Sequence, residues 1–154
     1  MTAAIHLAKK GILTTLFERN QFPHHTVCGE YLSKEVLPYF DELEIPIRSL
    51  QPVEISRLFF STCNGNSIET RLPQGGIGIS RYALDNLLYV KALEVGVQVL
   101  QVSVSAIAFE NERFEVVADD KKYRSRFILA AYGKRSGLDK NLDRPFFKKG
   151  GSLE

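Results

Sequence analysis

The stretch MTAAIHLAKKGILTTLFE, from Met1 to Glu18, decides how the fold of the whole chain is predicted. Its alanines and leucines recur at helical spacing as far as Gly11, and glycine is common just after the end of a helix. The run from Ile12 to Phe17 has the length and composition of a short buried strand, and Glu18 follows it directly. The stretch therefore predicts a helix, a glycine stop, a strand and an acid at the strand end.

This order of elements is that of the second half of a dinucleotide-binding βαβ unit. In such units an acid at the end of the second strand hydrogen-bonds the ribose, about 20 residues after a glycine-rich phosphate loop. Counting back that far from Glu18 passes Met1, so we expect the phosphate loop and the first strand to be missing from this sequence. The loss of that strand predicts two exposed inner sheet edges.

The composition is that of an ordinary globular protein with one sizeable core, because 44% of the 154 residues are hydrophobic and 25% are charged. A formal net charge of +2 favours neither nucleic acid nor an anionic membrane as a partner. No apolar run is long enough to span a bilayer, and no secretory signal is visible. Cys28 and Cys63 are therefore predicted to be free thiols of a cytoplasmic protein, at a spacing that does not favour a metal site.

The middle of the sequence predicts a helix, a hairpin and a second helix. Ser33 is expected to begin a helix that ends near Leu43. Residues 53–60 and 67–72 predict a β-hairpin around the turn at 64–66. The glycine-rich residues 73–78 are predicted to be a flexible connector rather than a phosphate cradle, and Ser80 begins an apolar-striped helix that Gly96 ends.

The last third predicts mainly antiparallel strands. A short strand is expected at 97–100, followed by strands at 102–109, 114–118 and 123–126 with turns between them. The unbroken apolar run Phe127–Ala131 predicts a strand buried on both faces. Residues 150–154 carry no structural signal and are predicted to be an unstructured tail.

Four stretches, taken together in their order and separation, resemble the FAD-dependent oxidoreductases of the geranylgeranyl-reductase and para-hydroxybenzoate-hydroxylase type. They are Ala3 to Glu18, Val27 to Ser33, Ile79 to Leu88 and Ala130 to Ser136. The resemblance implies an α/β fold, with residues 1–149 forming an incomplete Rossmann-like FAD-binding domain. Its sheet would be partly parallel, with antiparallel β-hairpin and β-meander insertions. FAD would supply the redox chemistry, acting on an isoprenoid or aromatic small molecule.

The resemblance also implies which residues bind the cofactor. They are Glu18, Arg19, Cys28, Gly29, Glu30, Arg81, Tyr132 and Gly133. Glu18 would bind the ribose hydroxyls, and Arg81 would place a positive charge near the pyrophosphate. The loop Cys28–Glu30 would lie beside the flavin ring, where Gly29 permits a close approach of the backbone. Tyr132 replaces an aspartate of the family pattern, and Gly133 would let the chain turn beside the cofactor.

Without the resemblance, Glu18 is a solvated strand-end acid and Arg81 an exposed helix residue. Two functions therefore stay open. One is a section of an FAD oxidoreductase that is inactive alone, because it lacks the phosphate loop and the C-terminal half. The alternative is a non-catalytic remnant that associates with a second copy or a complementary fragment through exposed sheet edges.

Overall fold

The computed structural model describes residues 1–133 and 137–138 of the chain. These residues belong to two compact units. The first unit contains residues 1–16 and 20–100, and the second contains residues 17–19 together with those from 101 onward. The fold class is the predicted α/β class, and the described residues form one parallel pair of strands and two antiparallel sheets. The prediction that residues 1–149 form one partial FAD-binding domain stays a prediction, and the predicted tail at 150–154 lies outside the described residues.

The elements of the chain up to residue 100 are three α-helices, two short 3-10 helices and five strands. They are α1 (Thr2–Lys9), β1 (Thr15–Phe17), β2 (Tyr31–Ser33), a 3-10 helix (Lys34–Val36), α2 (Leu37–Glu42), a second 3-10 helix (Ile47–Leu50), β3 (Val53–Ser61), β4 (Ser67–Gly78), α3 (Arg81–Glu94) and β5 (Gln98–Leu100). Strands β1 and β5 form the parallel pair, and β2, β4 and β3 form an antiparallel sheet in that order. The predicted hairpin is confirmed, as are the helices after Ser33 and Ser80.

Glycine ends α1 and α3 in the same way. Gly11 and Gly96 have φ angles of 76° and 85°, a region that other L-residues rarely adopt. After α1, the Gly11 N–H donates to the Ala8 carbonyl and the Ile12 N–H donates to the Leu7 carbonyl. The equivalent two bonds close α3. This is the Schellman motif, which satisfies the last carbonyls of a helix, so both predicted stops are confirmed.

Replacing Gly96 with alanine is expected to destabilise the first unit by about 1 kcal/mol, because alanine must then adopt a left-handed conformation. A Cβ at Gly96 would meet nothing within 4 Å, so the cost is conformational rather than steric. Urea denaturation followed by circular dichroism measures it. Gly29→Ala is the matched control, since Gly29 also has open space but lacks the positive φ. Equal losses in the two variants would contradict the explanation.

The core of the first unit lies between the helices and the buried end of β4. Its largest fully buried side chains are Ile5 of α1, Leu43 after α2 and Ile77 of β4. The stripe predicted on the second long helix is confirmed: Leu84, Leu88 and Ala92 are buried, while Leu87 and Val95 pack against the cluster half-buried. Both helices therefore depend on this shared cluster, because a helix as short as α1 is not stable alone in water.

The predicted strand from Ile12 to Phe17 is shorter than expected. Only Thr15–Phe17 is strand, and Ile12 and Leu13 are 52% and 92% exposed. The Ile12 N–H is already used by the Schellman motif of α1, and β5 offers only three residues for pairing. Pairing partners, rather than hydrophobic composition, therefore set the length of β1.

The predicted flexible connector at residues 73–78 is wrong, because β4 continues through it between β2 and β3. Gly75 and Gly76 are buried there. A Cβ on Gly76 would lie 2.2 Å from Cε2 of Tyr31, and the Tyr31 hydroxyl donates to the Gly75 carbonyl at 3.1 Å. The glycines are thus strand residues that leave room for an aromatic ring on the backbone.

The second unit contains the predicted antiparallel meander. Its strands are β6 (Val104–Glu110), β7 (Arg113–Ala118) and β8 (Lys121–Ser125), paired in that order. Asn111-Glu112 and Asp119-Asp120 connect them, and all four residues have positive φ. Two consecutive positive φ angles are typical of the type I′ hairpin turn, whose twist matches the flanking strands.

The predicted buried strand Phe127–Ala131 is wrong. These residues are not strand, and Phe127 and Leu129 are 82% and 66% exposed. A segment forms a strand only when a neighbouring backbone pairs with it. None of the eight strands among the described residues does so. An apolar run was therefore insufficient to define a strand.

Glu115 of β7 pairs with two basic side chains of β8. Its carboxylate lies 2.7 Å from Lys122 Nζ and accepts hydrogen bonds from Arg124 at 3.3 Å. Hydrogen bonding by Lys122 outweighs the opposing effect of burial and, with the contribution of Arg124, lowers the pKa of Glu115 below its usual 4.5. A carboxyl whose pKa is lowered on folding stabilises the protein above its unfolded pKa, and this stabilisation is lost as the pH falls through the folded value.

Glu115→Gln is therefore expected to lower the melting temperature at neutral pH and low salt, and to matter less as the pH falls below about 4.5. Thermal melts of variant and wild type at about pH 7 and pH 3 give the comparison. Glu112→Gln, which changes an exposed glutamate of the β6–β7 turn, is the control and should leave both melts nearly unchanged. A deficit of Glu115→Gln that persists undiminished in acid would contradict the ion-pair explanation.

Candidate cofactor site

The first turn of α3 is joined to the loop that precedes β2. Ser80 occupies the N-cap position of α3, and Glu30 supplies the capping carboxylate by accepting a hydrogen bond from the Arg81 N–H at 3.2 Å. The Ile79 N–H donates to the Glu30 carbonyl at 2.9 Å. Glu30 itself has a φ of 56°. A carboxylate at this position is favourable because the N-terminus of a helix carries partial positive charge. Glu30 therefore has two roles: its backbone changes the direction of the loop, and its carboxylate caps the N-terminus of α3.

Arg81 is held by Asp85, one helical turn further along α3. The guanidinium donates from Nε to Oδ1 at 3.2 Å and from Nη2 to Oδ1 and Oδ2, both at 3.0 Å. Asp85 is 6% exposed, whereas about a third of the Arg81 side chain is exposed. The pair thus fixes the plane of a guanidinium that still reaches the surface.

The remaining guanidinium nitrogen faces the Cys28 loop. Arg81 Nη1 donates to Cys28 Sγ at 3.8 Å. Burial acts to lower the pKa of Arg81, but the hydrogen bonds and charge of Asp85, followed by those of Cys28, raise it above its usual value. Arg81 is therefore a permanent positive charge in a fixed orientation.

Three of the predicted site residues, Cys28, Glu30 and Arg81, are brought together by these contacts. Gly29 lies between Cys28 and Glu30, is exposed, and has nothing within 4 Å of the position where a Cβ would be. A flat molecule can therefore approach the loop backbone at this glycine. The roles of these three residues and of Gly29 in binding a cofactor stay predictions.

The other predicted residues, Glu18, Arg19, Tyr132 and Gly133, belong to the second unit. Glu18 and Tyr132 are half-buried, while Arg19 is exposed. Gly133 has a φ of 78°, a backbone conformation that favours glycine. Their cofactor-binding roles also stay predictions.

Aromatic contacts attach the loop before Cys28 to the same helix. Phe22 stacks on Tyr89 with ring centroids 4.9 Å apart, and His25 lies 4.7 Å from Tyr82. Tyr82 and Tyr89 are seven residues apart and share one face of α3, two helical turns from each other. The loop therefore contacts α3 along two turns before it reaches Arg81.

Sequence reasoning missed Asp85. The available signal was the spacing of four between Arg81 and Asp85, which places two opposite charges on one face of a helix. Burial could not be deduced, because Asp85 lies beside the apolar stripe rather than within it. Only the structure distinguishes this aspartate from a solvated one.

The chemistry of these residues fits the cofactor that the resemblance implies. FAD carries an anionic pyrophosphate and a planar ring system, and the site offers a fixed guanidinium and an open glycine backbone. Within the described ranges, no three His, Cys, Asp or Glu side chains converge as metal ligands would. Nor does any helix in that part of the chain have the length and apolar character needed to cross a membrane.

No protein-family model matches the chain. The chain is 25% identical over 137 residues to an uncharacterized protein of Methanosarcina barkeri, an alignment that covers 85% of this chain and 34% of that protein. The chain thus spans about a third of the length of this curated relative.

Solved flavoprotein structures share the fold. The halogenase PltM in complex with phloroglucinol and FAD matches with a TM-score of 0.72 at 19% identity, over 92% of this chain and 33% of that one. A flavoprotein/dehydrogenase from Cytophaga hutchinsonii matches with a TM-score of 0.67 at 21% identity, over 82% and 35%. The flavin-dependent brominase Bmp2 matches with a TM-score of 0.64 at 17% identity, over 80% and 32%. The α/β fold of this chain is therefore that of about a third of a flavoprotein.

Proposed function

We propose that this chain is a section of an FAD-dependent oxidoreductase, a reductase or monooxygenase of the geranylgeranyl-reductase and para-hydroxybenzoate-hydroxylase type. The observation that carries the proposal is the Arg81 guanidinium, fixed by Asp85 beside the open loop Cys28–Glu30. The fold shared with flavoproteins supports it. An isoprenoid or aromatic molecule is the substrate class that we propose for the complete enzyme.

FAD, when bound, supplies the redox chemistry of such an enzyme. The residues of this chain bind and orient it. Arg81 places its charge beside the pyrophosphate, and its orientation is fixed before binding, so little side-chain entropy is lost. Gly29 lets the loop backbone lie against the ring system, and Glu18 accepts hydrogen bonds from the ribose hydroxyls. Arg19, Tyr132 and Gly133 complete the proposed set.

The 154 residues contain no Gly-x-Gly-x-x-Gly phosphate loop. We therefore propose that by themselves they bind FAD weakly and are inactive, because that loop normally provides the backbone N–H groups that hold the pyrophosphate. Strong binding and catalysis belong, in this proposal, to a longer polypeptide or to a complex with a complementary fragment.

Titration of the purified chain with FAD, followed by flavin fluorescence, tests the proposal. We expect weak saturable binding that Arg81→Ala reduces by about tenfold, since one charge-assisted contact is lost. Arg57→Ala is the matched control because Arg57 is an exposed arginine of the β3–β4 hairpin, paired with Glu69. Failure of both this chain and its longest in-frame version to bind FAD would overturn the proposal.

A second candidate function is self-association, and the β3–β4 hairpin favours it. Phe60 lies opposite Ile68, and Leu58 is two residues away on the same face. All three side chains are at least half exposed. β3 is also an edge strand of its sheet as far as the structure describes the chain. A nine-residue edge with an apolar face is a template for pairing with another chain.

Sedimentation or light scattering over a range of concentrations distinguishes this candidate from a monomeric section of a flavoenzyme. Self-association through the hairpin predicts a dimer that Phe60→Lys disrupts and that Phe59→Lys, on the opposite face, disrupts less. A monomer at every concentration would exclude a second copy as the partner.

A further inference from the structure

We propose that Asp85 is a positioning residue of the candidate cofactor site, which acts through Arg81 to hold the loop Cys28–Glu30 in place. Among the described residues, the Asp85 carboxylate accepts its hydrogen bonds from Arg81 and none from the loop Cys28–Glu30. The positioning of the loop is independent of the proposed function, and only the effect on FAD rests on it.

The burial of Asp85 makes its pairing with Arg81 mandatory. A carboxylate that is 6% exposed is costly unless its charge is compensated and its oxygens accept hydrogen bonds. Arg81 satisfies both requirements with three donated bonds. Asp85 therefore confines a side chain that would otherwise have many rotamers.

That confinement determines what the rest of the guanidinium can do. Nε and Nη2 point to Asp85, so the planar group leaves Nη1 directed to Cys28 Sγ at 3.8 Å. At the same residue the backbone N–H of Arg81 donates to the Glu30 carboxylate. Arg81 thus contacts both ends of the loop, once through its side chain and once through its backbone.

The order of the two charges argues against a role in helix stability alone. Arg81 stands in the first turn of α3, where a positive charge is unfavourable, and Asp85 follows it. An acid followed four residues later by a base is the order that stabilises a helix better. The observed order is explained when the pair serves to aim Arg81 at the loop.

The rates at which iodoacetamide alkylates the two cysteines, measured separately by mass spectrometry, test the positioning role. The fixed guanidinium contacts Cys28 Sγ and holds the loop, so its release uncovers one side of the sulfur and lets the loop open locally. We expect Asp85→Asn to speed alkylation of Cys28 by about threefold relative to Cys63, an exposed thiol in the hairpin turn that serves as the internal reference. Glu94→Gln removes one acid from the other end of α3 and should leave the ratio unchanged.

Arg81→Lys keeps the test decisive if Asp85→Asn does not fold. Lysine retains the positive charge but lacks the planar fork that binds both carboxylate oxygens and reaches Cys28, so the same faster alkylation of Cys28 is expected. An unchanged ratio in a folded Asp85→Asn variant overturns the proposal. So does an unchanged ratio in Arg81→Lys when the aspartate variant is unfolded.

FAD titration of Asp85→Asn provides the second readout. We expect the variant to lose FAD affinity severalfold, in the same direction as Arg81→Ala, while Glu94→Gln binds as the wild type does. If neither the wild type nor its longest in-frame version binds FAD, the proposed function fails, and the alkylation ratio alone decides the positioning role. If the wild type binds FAD and Asp85→Asn binds it equally well, the positioning role is overturned for the cofactor.

Discussion

Ile5→Ala is expected to destabilise the first unit by about 3 kcal/mol, because it removes three buried carbons and leaves a cavity that the surroundings fill only partly. Ile5 is fully buried in α1 and belongs to the cluster that includes Leu43 and Ile77. A loss of this size is a large fraction of the stability of a typical domain. It also weakens α1 directly, since packing rather than intrinsic propensity keeps so short a helix formed.

Urea denaturation monitored by circular dichroism measures this loss. Leu13→Ala is the matched control, because Leu13 is another aliphatic residue of the same stretch but is 92% exposed. We expect it to change the free energy of unfolding by less than about 0.5 kcal/mol. Similar losses in the two variants would mean that α1 does not pack on the core as the structure has it.

Gly76→Ala is expected to cost about 2 kcal/mol through overpacking of the β2–β4 pair. The added Cβ would lie 2.2 Å from the Tyr31 ring, far inside van der Waals contact. The ring must therefore leave the backbone of β4, which breaks the hydrogen bond from its hydroxyl to the Gly75 carbonyl. Because Tyr31 follows Glu30 directly, the displacement also disturbs the loop of the candidate site.

A second substitution, Tyr31→Ala, distinguishes this steric clash from a general intolerance of β4 to substitution. In a Tyr31→Ala background the ring is absent, so Gly76→Ala should cost little. Urea denaturation of the two single variants and the double variant gives the free energies of unfolding for this double-mutant cycle. Additive losses would contradict the assignment of the clash to Tyr31.

Features that depend on neighbouring residues in the chain were predicted well. The stops of α1 and α3 follow from Gly11 and Gly96, since glycine adopts the required φ angle at low cost. The hairpin follows from alternating strand residues around a glycine turn. The meander of the second unit likewise follows from polar turns between alternating strands.

Features that depend on distant residues were predicted poorly. The apolar run Phe127–Ala131 has the composition of a buried strand, but among the described residues no strand pairs with it. Gly75 and Gly76 have the composition of a connector, yet they are strand residues because Tyr31 lies on them. Composition describes what a segment can form, whereas a partner elsewhere in the chain decides whether it does.

The candidate site likewise combines features that the sequence indicates with features that depend on distant residues. The resemblance to the FAD-dependent oxidoreductases implied Cys28, Glu30 and Arg81, whereas the residues by themselves indicated only that Arg81 is an exposed helix residue. Their meeting, and the burial of Asp85 that aims Arg81, depended on the packing of the loop against α3.

In the opening stretch from Met1 to Glu18, local chemistry alone accounts for the helix and its glycine end, because both require only residues within one or two turns of each other. The length of the following strand was set by β5, which offers three residues for pairing across a gap of about eighty positions in the chain. Likewise, Arg81 becomes a fixed charge rather than a solvated one because folding buries Asp85 and brings the Cys28 loop to the start of α3. Tertiary packing decides such features, since desolvation and strand pairing arise only when distant segments meet.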